Sequence, residues 1–293
     1  MGTALMNDHW TERDWQTLAI HVKAQNCTPF LGAGAAVPTL RLGRDIAQDW
    51  AVEYDYPFTD STNLARVAQY VAVAHGDDFI PKEKIAREIT ARKAPLPNVD
   101  DPHRILAGMD MPLYLTTNYD DFMHQALLQA HRRSVREHSH WHHGLGIAKL
   151  RRKQLEPTRE TPVVYHLHGI ADEPRSILIT EDDYLNFLVL TSKDANLIPP
   201  QIAEALSNKS LLFLGYGLQD INFLVLLRRF ATLISSSQTR HFAVQIDPAT
   251  TDRHHGEAQR VYLQKQLHGK QVKVFWGSCA EFCLKLRDHC QPN

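Results

Sequence analysis

The sequence predicts an α/β fold: a Rossmann-like, doubly wound parallel sheet with a helical insertion after its first strand. Three observations predict it. Short, uniformly apolar runs alternate with amphipathic stretches along the chain, the pattern of a parallel sheet covered on both faces. The first such run, Pro29-Phe30-Leu31, ends in Gly32-Ala33-Gly34. Lacking a Cβ, those glycines permit a sharp turn into a helix N-terminus and close approach of a ligand's phosphates to free N–H groups. The helical patterns at 43–54, 63–74 and 81–91 then precede the next strand, where an ordinary doubly wound sheet uses a single helix.

The 293 residues are 43% hydrophobic and 22% charged, which suits one domain over 1–293. Within it the reading places a helical cap at about 43–100 and a basic, histidine-rich segment at about 131–160. A net charge of −1 gives no global attraction to nucleic acid. No apolar run approaches the ~20 residues of a membrane span. The first residues, with Asp8, Glu12 and Asp14, lack a signal peptide's apolar segment, so the expected location is the cytoplasm. Of the four cysteines, Cys279, Cys283 and Cys290 share one face of a C-terminal helix, with no C-x-x-C pair. They read as buried thiols, and no metal is expected.

Taken in order, Thr11 and Asp14 form a capping box for a first helix carrying Trp15, Leu18, Ala19 and Val22 at helical spacing. The strand 28–31 follows, then the glycine turn. Val37 stands where the third glycine of a full G-x-G-x-x-G would fall. Prolines at 57, 81, 95, 97 and 102 bound the helical stretches. The run 112–117 is the next strand, ending in Asn118-Tyr119-Asp120-Asp121, with Asp120 or Asp121 capping a helix over 122–131.

The segment 131–160 reads as a solvated loop or edge hairpin. Its cluster His138, His140, His142 and His143 around Trp141 invites a metal but holds no carboxylate or cysteine of its own. A strand over 163–169 places Val164, His166 and His168 on one face. A short strand is expected at 176–179, helices at 180–190 and 199–207, and a core strand at 210–214 ending in Gly215-Tyr216-Gly217-Leu218. Asp220 opens a long helix to about 234. Strands at 242–246 and 271–276, with helices at 253–268 and from Cys279, complete the chain.

Four strand ends therefore carry the polar or glycine content. In open α/β sheets ligands bind outside the carboxyl ends of the strands, so these ends predict a nucleotide held there with an amide and a histidine close by. An uncharged amide such as Asn118 can hold a ribose hydroxyl or a water, and a histidine can take a proton near neutral pH. On the residues alone, Asn118 could equally be a turn or cap residue, and His166 competes with His168 for the catalytic role.

The ordered motifs Gly32-Ala33-Gly34, Thr116-Thr117-Asn118-Tyr119-Asp120, His168-Gly169 and Gly215-Tyr216-Gly217-Leu218 resemble the sirtuin-like NAD-binding domain. More specifically, they are similar to its NADase branch among bacterial anti-phage defence effectors. The resemblance runs from about residue 28 to 235. It implies that Gly32, Ala33, Gly34 and Ala36 cradle the NAD diphosphate, with Ala36 standing where many relatives have serine. It implies that Asn118 and Asp120 face the nicotinamide ribose, with Thr117 beside them in the cofactor site, and that His168 is the general base. Gly215, Tyr216, Gly217 and Leu218 would line the adenosine side.

Sirtuin deacetylases carry a four-cysteine zinc module after the catalytic histidine, whereas this chain has no cysteine between Cys27 and Cys279. The expected reaction is therefore NAD and water to nicotinamide and ADP-ribose, in a gated effector that depletes NAD. The alternatives are an NAD-dependent deacylase or ADP-ribosyltransferase, and a non-catalytic subunit that senses NAD or ADP-ribose. Gating implies a homo-oligomer or a separately encoded sensor or ATPase subunit, such as a HerA-type ATPase or an Argonaute-type protein.

Overall fold

A computed structural model describes residues 10–92, 100–143, 155–193, 197–217, 240–252, 254–268 and 271–291. Among the described residues seven strands form one sheet: β1 (Cys27–Leu31), β2 (Leu113–Thr116), β3 (Val135–His138), β4 (Val163–His166), β5 (Ser210–Leu214), β6 (His241–Gln245) and β7 (Val272–Trp276). Their order is β3-β4-β2-β1-β5-β6-β7, and every pairing is parallel. The order reverses at β1, whose chain continues to β2 on one side while β5 lies on the other. That reversal is the topological switch point at which such sheets bind ligands. Register brings the carboxyl ends into one row, with Leu31 opposite both Thr116 and Leu214, and Thr116 opposite His166.

Both faces of the sheet are covered. On one, Leu115, Tyr165, Leu211 and Phe213 meet α7 (Glu181–Lys193) and α8 (Pro200–Asn208) through Phe187, Ile202 and Leu206. On the other, Tyr114, Val164, Leu212 and Phe242 meet α1 (Glu12–Lys23), α5 (Pro102–Ala107) and α6 (Phe122–Gln129). The last helix, α10 (Cys279–Cys290), joins this second layer, following α9 (Gly256–His268) and β7. The inner strands β1, β2, β4 and β5 read as mainly apolar runs because both of their faces are covered.

A third cluster belongs to α2 (Gly43–Glu53), α3 (Leu64–His75) and α4 (Phe79–Thr90), where Ile46, Trp50, Val67 and Ile85 pack with Ile177 and Ile179. These helices are fastened to the sheet side by a buried ion pair, Lys82 Nζ to Asp183 Oδ1 at 2.7 Å. The other Asp183 oxygen accepts from the N–H groups of Ile179 and Thr180. Arg66 and Gln69 of α3 add exposed contacts to Glu181 and Asp182.

Several expectations are corrected. The glycine turn leads into a single 3-10 turn, Ala33–Ala36, rather than straight into an α-helix N-terminus, while α2 begins at Gly43 as expected. The segment 131–160 holds no hairpin among its described residues, because β3 pairs parallel to β4 at the sheet's edge. No strand forms at 176–179, where a 3-10 turn at Pro174–Ser176 precedes extended chain. The strand expected to reach 169 stops at His166. Pro102, expected only as a breaker, occupies the first turn of α5, where its missing N–H is harmless. The helix expected after Asp220 lies outside the described residues. Cys279, Cys283 and Cys290 sit along α10 as free thiols against the second layer.

Candidate active site

The glycines act first on one another. Gly215 has φ +77°, and a Cβ there would sit 2.2 Å from the Ala35 nitrogen. A Cβ on Gly34 would sit 2.9 Å from Gly215 Cα, and one on Gly32 2.9 Å from the Gly215 carbonyl oxygen. The backbone N–H groups of Gly32 and Gly34 donate to the carbonyls of Leu214 and Gly215, and that of Ala35 donates to Gly32. The glycine motifs of β1 and β5 thus let two strand ends dock backbone to backbone. They also commit three of the N–H groups from which an anion site was expected.

Side chains then lock the third strand end onto this pair. The Tyr216 hydroxyl donates to the Leu31 carbonyl at 2.9 Å and accepts from Thr117 Oγ1 at 2.9 Å. Thr116 Oγ1 donates to the same Leu31 carbonyl and accepts from the Asn118 N–H. Asn118 Nδ2 donates to the Gly32 carbonyl at 3.1 Å, which leaves the amide oxygen as the acceptor it offers to a ligand. From β4, His166 Nδ1 donates to the Asn118 carbonyl at 2.9 Å. A single hydrogen-bonded net therefore fixes Asn118 from β1, β2 and β4.

A cleft of about 600 Å³ opens over this net. That volume falls in the ~300–1,000 Å³ range of small-molecule sites. Its floor includes Thr117, Asn118, Asp120 and His168, with Ala33 and Ala36 from the 3-10 turn and Gly215, Tyr216 and Gly217 from the end of β5. Gly32 and Gly34 are set back behind that wall, and Leu218 lies outside the described residues. The opposite wall is helical, with Leu42, Ile46 and Ile85, and it brings Arg41, Arg44 and Arg92 to the cleft. A slightly larger cavity of about 650 Å³, lined by Val22, Gln25, Met109 and Asp110, sits at the amino ends of the strands, away from every one of these motifs.

The two histidines of β4 part company. Because the strand ends at His166, alternation no longer governs the residues after it. His166 points into the hydrogen-bond net and is absent from the cleft, whereas His168 lines it. The His168 ring stands edge-on to Tyr184 and Phe187, with centroids 5.5 and 6.0 Å away. Burial pushes its pKa down to about 3, and burial likewise lowers His166 to about 4. His168 is thus a neutral imidazole at physiological pH, an acceptor held in apolar surroundings. Burial also raises the Asp120 carboxyl, whose Oδ1 accepts from the Phe122 N–H and starts α6.

Sequence reasoning missed the three arginines and Tyr184. Arg41 just precedes α2, Arg44 lies in its first turn and Arg92 just follows α4, all exposed, and only tertiary structure brings them over the strand ends. The histidine cluster is also richer than its sequence: the adjoining Glu137 and the distant Glu173 both reach it.

The chain is similar to proteins of known family. Residues 112–271 match the family described as SIR2-like domain, a stretch that includes Asn118, His168 and Gly215–Gly217. Similar relatives include the NAD(+) hydrolase ThsA of Acinetobacter baumannii (strain 532279), 26% identical over 227 residues that cover 76% of this chain and 43% of that protein. The NAD(+) hydrolase ThsA of Enterococcus faecium is 24% identical over 226 residues, covering 76% and 44%. That of Bacillus cereus (strain MSX-D12) is 24% identical over 230 residues, also covering 76% and 44%. This chain therefore spans less than half the length of these relatives. From its seven-stranded parallel sheet, its switch-point cleft and this match over more than half its length, the chain belongs to the SIR2-like domain family.

Proposed function

We propose that the protein is an NAD glycohydrolase, converting NAD and water to nicotinamide and ADP-ribose. The observation that carries this is the convergence of Asn118 and His168 on one cleft at the switch point of a SIR2-like sheet. The relatives named as NAD(+) hydrolases support the same reading.

Breaking the nicotinamide–ribose bond releases a neutral base and leaves positive charge on the sugar. The site must hold that sugar and admit water from the opposite side. Asn118, with one amide N–H committed to Gly32, presents its acceptor oxygen to a ribose hydroxyl or to the water. His168, neutral and poorly solvated, takes the proton that the incoming water or a ribose hydroxyl loses as the cationic sugar is captured. Asp120 and Thr117 lie beside them on the ribose side, and Gly215–Gly217 face the adenosine half. The diphosphate lies between the 3-10 turn at Ala33–Ala36 and the arginines of the helical wall, with Leu218 continuing the adenosine side. Arg41 is partly engaged by Asp49 at 2.7 Å and Arg44 by Asp45 at 3.4 Å, so Arg92 carries the larger share of phosphate attraction. The reaction as written needs no metal.

Nicotinamide and ADP-ribose separated by chromatography test the assignment. Equimolar release from NAD without any acyl peptide is expected. Nicotinamide formed only with an acyl-lysine peptide would replace this reading with the deacylase, and NAD binding without turnover would replace it with a sensor. Arg92→Ala is expected to raise KM for NAD about tenfold, roughly 1.4 kcal/mol, with little change in kcat; an unchanged KM would remove Arg92 from the site.

We further infer that the activity is a gated, NAD-depleting defence function of the cell interior, controlled by self-association or a separately encoded subunit. The outer face of α7 supports this, since Leu185 and Val189, one helical turn apart, are 60% and 47% exposed. Light scattering that finds only monomer, with full turnover of the isolated chain, would contradict gating. No helix among the described residues is long and apolar enough to cross a membrane.

A further inference from the structure

Outside the cleft, the end of edge strand β3 carries Glu137-His138-Ser139-His140-Trp141-His142. A regular strand would point Glu137 and His138 to opposite faces. Here β3 ends at His138 and the chain bends into the 3-10 turn Trp141–His143, so both side chains are buried on the same spot. The Glu137, His138 and His140 donor atoms all lie within 4.8 Å of one another. Glu137 Oε1 is 3.4 Å from His140 Nε2 and 3.7 Å from His138 Nδ1. Four ligands at ~2.0–2.2 Å around a tetrahedral ion stand about 3.3–3.6 Å apart, close to these separations.

The surroundings match what metal-bound histidines require. The far nitrogen of His138, Nε2, is 3.2 Å from Glu173 Oε2, and His142 Nε2 is 3.2 Å from the other Glu173 oxygen. The Glu173 carboxylate stands at ion-pair distance from the outer His138 nitrogen but is not aligned for a hydrogen bond, and a rotation of the ring would make it the carboxylate partner that orients a metal-bound imidazole. One carboxylate and two imidazoles form a ligand set for a divalent first-row transition ion rather than for calcium or magnesium. Trp141 closes the site by donating Nε1–H to the Ser176 carbonyl at 2.8 Å, with the Lys82 ammonium over its ring.

We propose that Glu137 Oε1, His138 Nδ1 and His140 Nε2 bind one divalent transition-metal ion of the zinc class, with Glu173 orienting His138 from the loop that follows His168. Bound there, the ion fastens the end of β3 to the bend that leads into the 3-10 turn Trp141–His143. It lies one step from the active-site net, since the Ser139 N–H donates to the His166 carbonyl and His166 in turn holds Asn118. The site does not depend on the NAD reading.

The whole chain, stripped by a chelator and returned to neutral buffer, is titrated with Co²⁺ alone while the visible d–d absorption is followed. Zn²⁺ is then added as competitor. One Co²⁺ per chain, with the intense spectrum of a four-coordinate ion and displacement by Zn²⁺, is expected. X-ray absorption of the Zn²⁺-loaded wild type reports the ligands without any variant, and two imidazoles, oxygen and no sulfur are expected. His140→Ala and Glu137→Gln are expected to abolish the absorption, and Glu173→Gln to weaken binding roughly 10–100-fold. His255→Ala, on an exposed histidine elsewhere, is expected to change nothing. A wild type giving only the aqueous Co²⁺ spectrum, sulfur in the zinc shell, or His140→Ala binding like wild type would each overturn the proposal.

Discussion

At the scale of single residues, the cleft depends on where a side chain is absent as much as on where one is present. Gly215 sits in the left-handed region with backbone atoms of Gly34 and Ala35 against the position of its missing Cβ. Gly215→Ala combines that conformation with a clash that no flexible side chain can relieve. It is expected to lower unfolding stability by at least ~2 kcal/mol in urea titration. A loss within ~0.5 kcal/mol would mean that the two strand ends do not dock this closely. His166 and His168 make the complementary point. They are two residues apart and alike in composition, yet one holds the Asn118 backbone and the other faces the cleft.

At the scale of elements, the helical layer α2–α4 matters because it supplies the second wall of the cleft. Its attachment has a defined centre in the Lys82–Asp183 pair between α4 and α7. Removing one partner of a buried pair leaves the other charge without compensation, which typically costs ~3–5 kcal/mol. Lys82→Met is therefore expected to destabilise by about 3 kcal/mol in equilibrium unfolding, and pairing it with Asp183→Asn, which removes the charge but keeps an acceptor for the Ile179 and Thr180 N–H groups, to recover much of that loss. Additive losses in the double variant would deny that the pair acts as a unit.

Elements were also what the sequence displayed best. The apolar strands β1, β2, β4 and β5 and the amphipathic helices α1, α3 and α10 were legible, because one periodicity dominates each. The ends of elements were not. Where β4 stops decides which histidine meets the cleft, and that depends on the 3-10 turn at Pro174–Ser176 and on the Leu178 N–H donating to the His168 carbonyl. The edge strand β3 escaped notice for a related reason. Its four residues, Val135–His138, are mostly polar, and only pairing with β4 makes them a strand. Of the cleft, the strand-end motifs could be found by eye, whereas the arginine wall and the carboxylate partners of the histidine cluster arise from contacts between distant segments.

At the scale of the whole molecule, three buried histidines couple the fold to pH. His166 and His241 are pushed down to about 4 and His168 to about 3, all by burial. Each is neutral when folded and titrates near the ordinary value of about 6.5 when unfolded. Unfolding therefore takes up protons between about pH 6.5 and 4, so the stability these groups contribute is full above 6.5 and falls as the pH drops through that window. Thermal unfolding followed from pH 7.5 to 4.5 is expected to show Tm falling steadily below about 6.5. A Tm that stays level across that interval would mean that these rings are solvated in the native state. The low His168 value also means that its own protonation does not switch off the cleft at mildly acidic pH.

The central claim is that Asn118 and His168 together cleave the nicotinamide–ribose bond in a SIR2-like cleft. The rate of nicotinamide release at saturating NAD, compared among wild type, Asn118→Ala and His168→Ala proteins with matching thermal unfolding, tests it most directly. Losses of about 10²–10⁴-fold in both variants are predicted, the range expected for removing a positioned acceptor or base. Turnover by either variant within a few-fold of wild type would contradict the account.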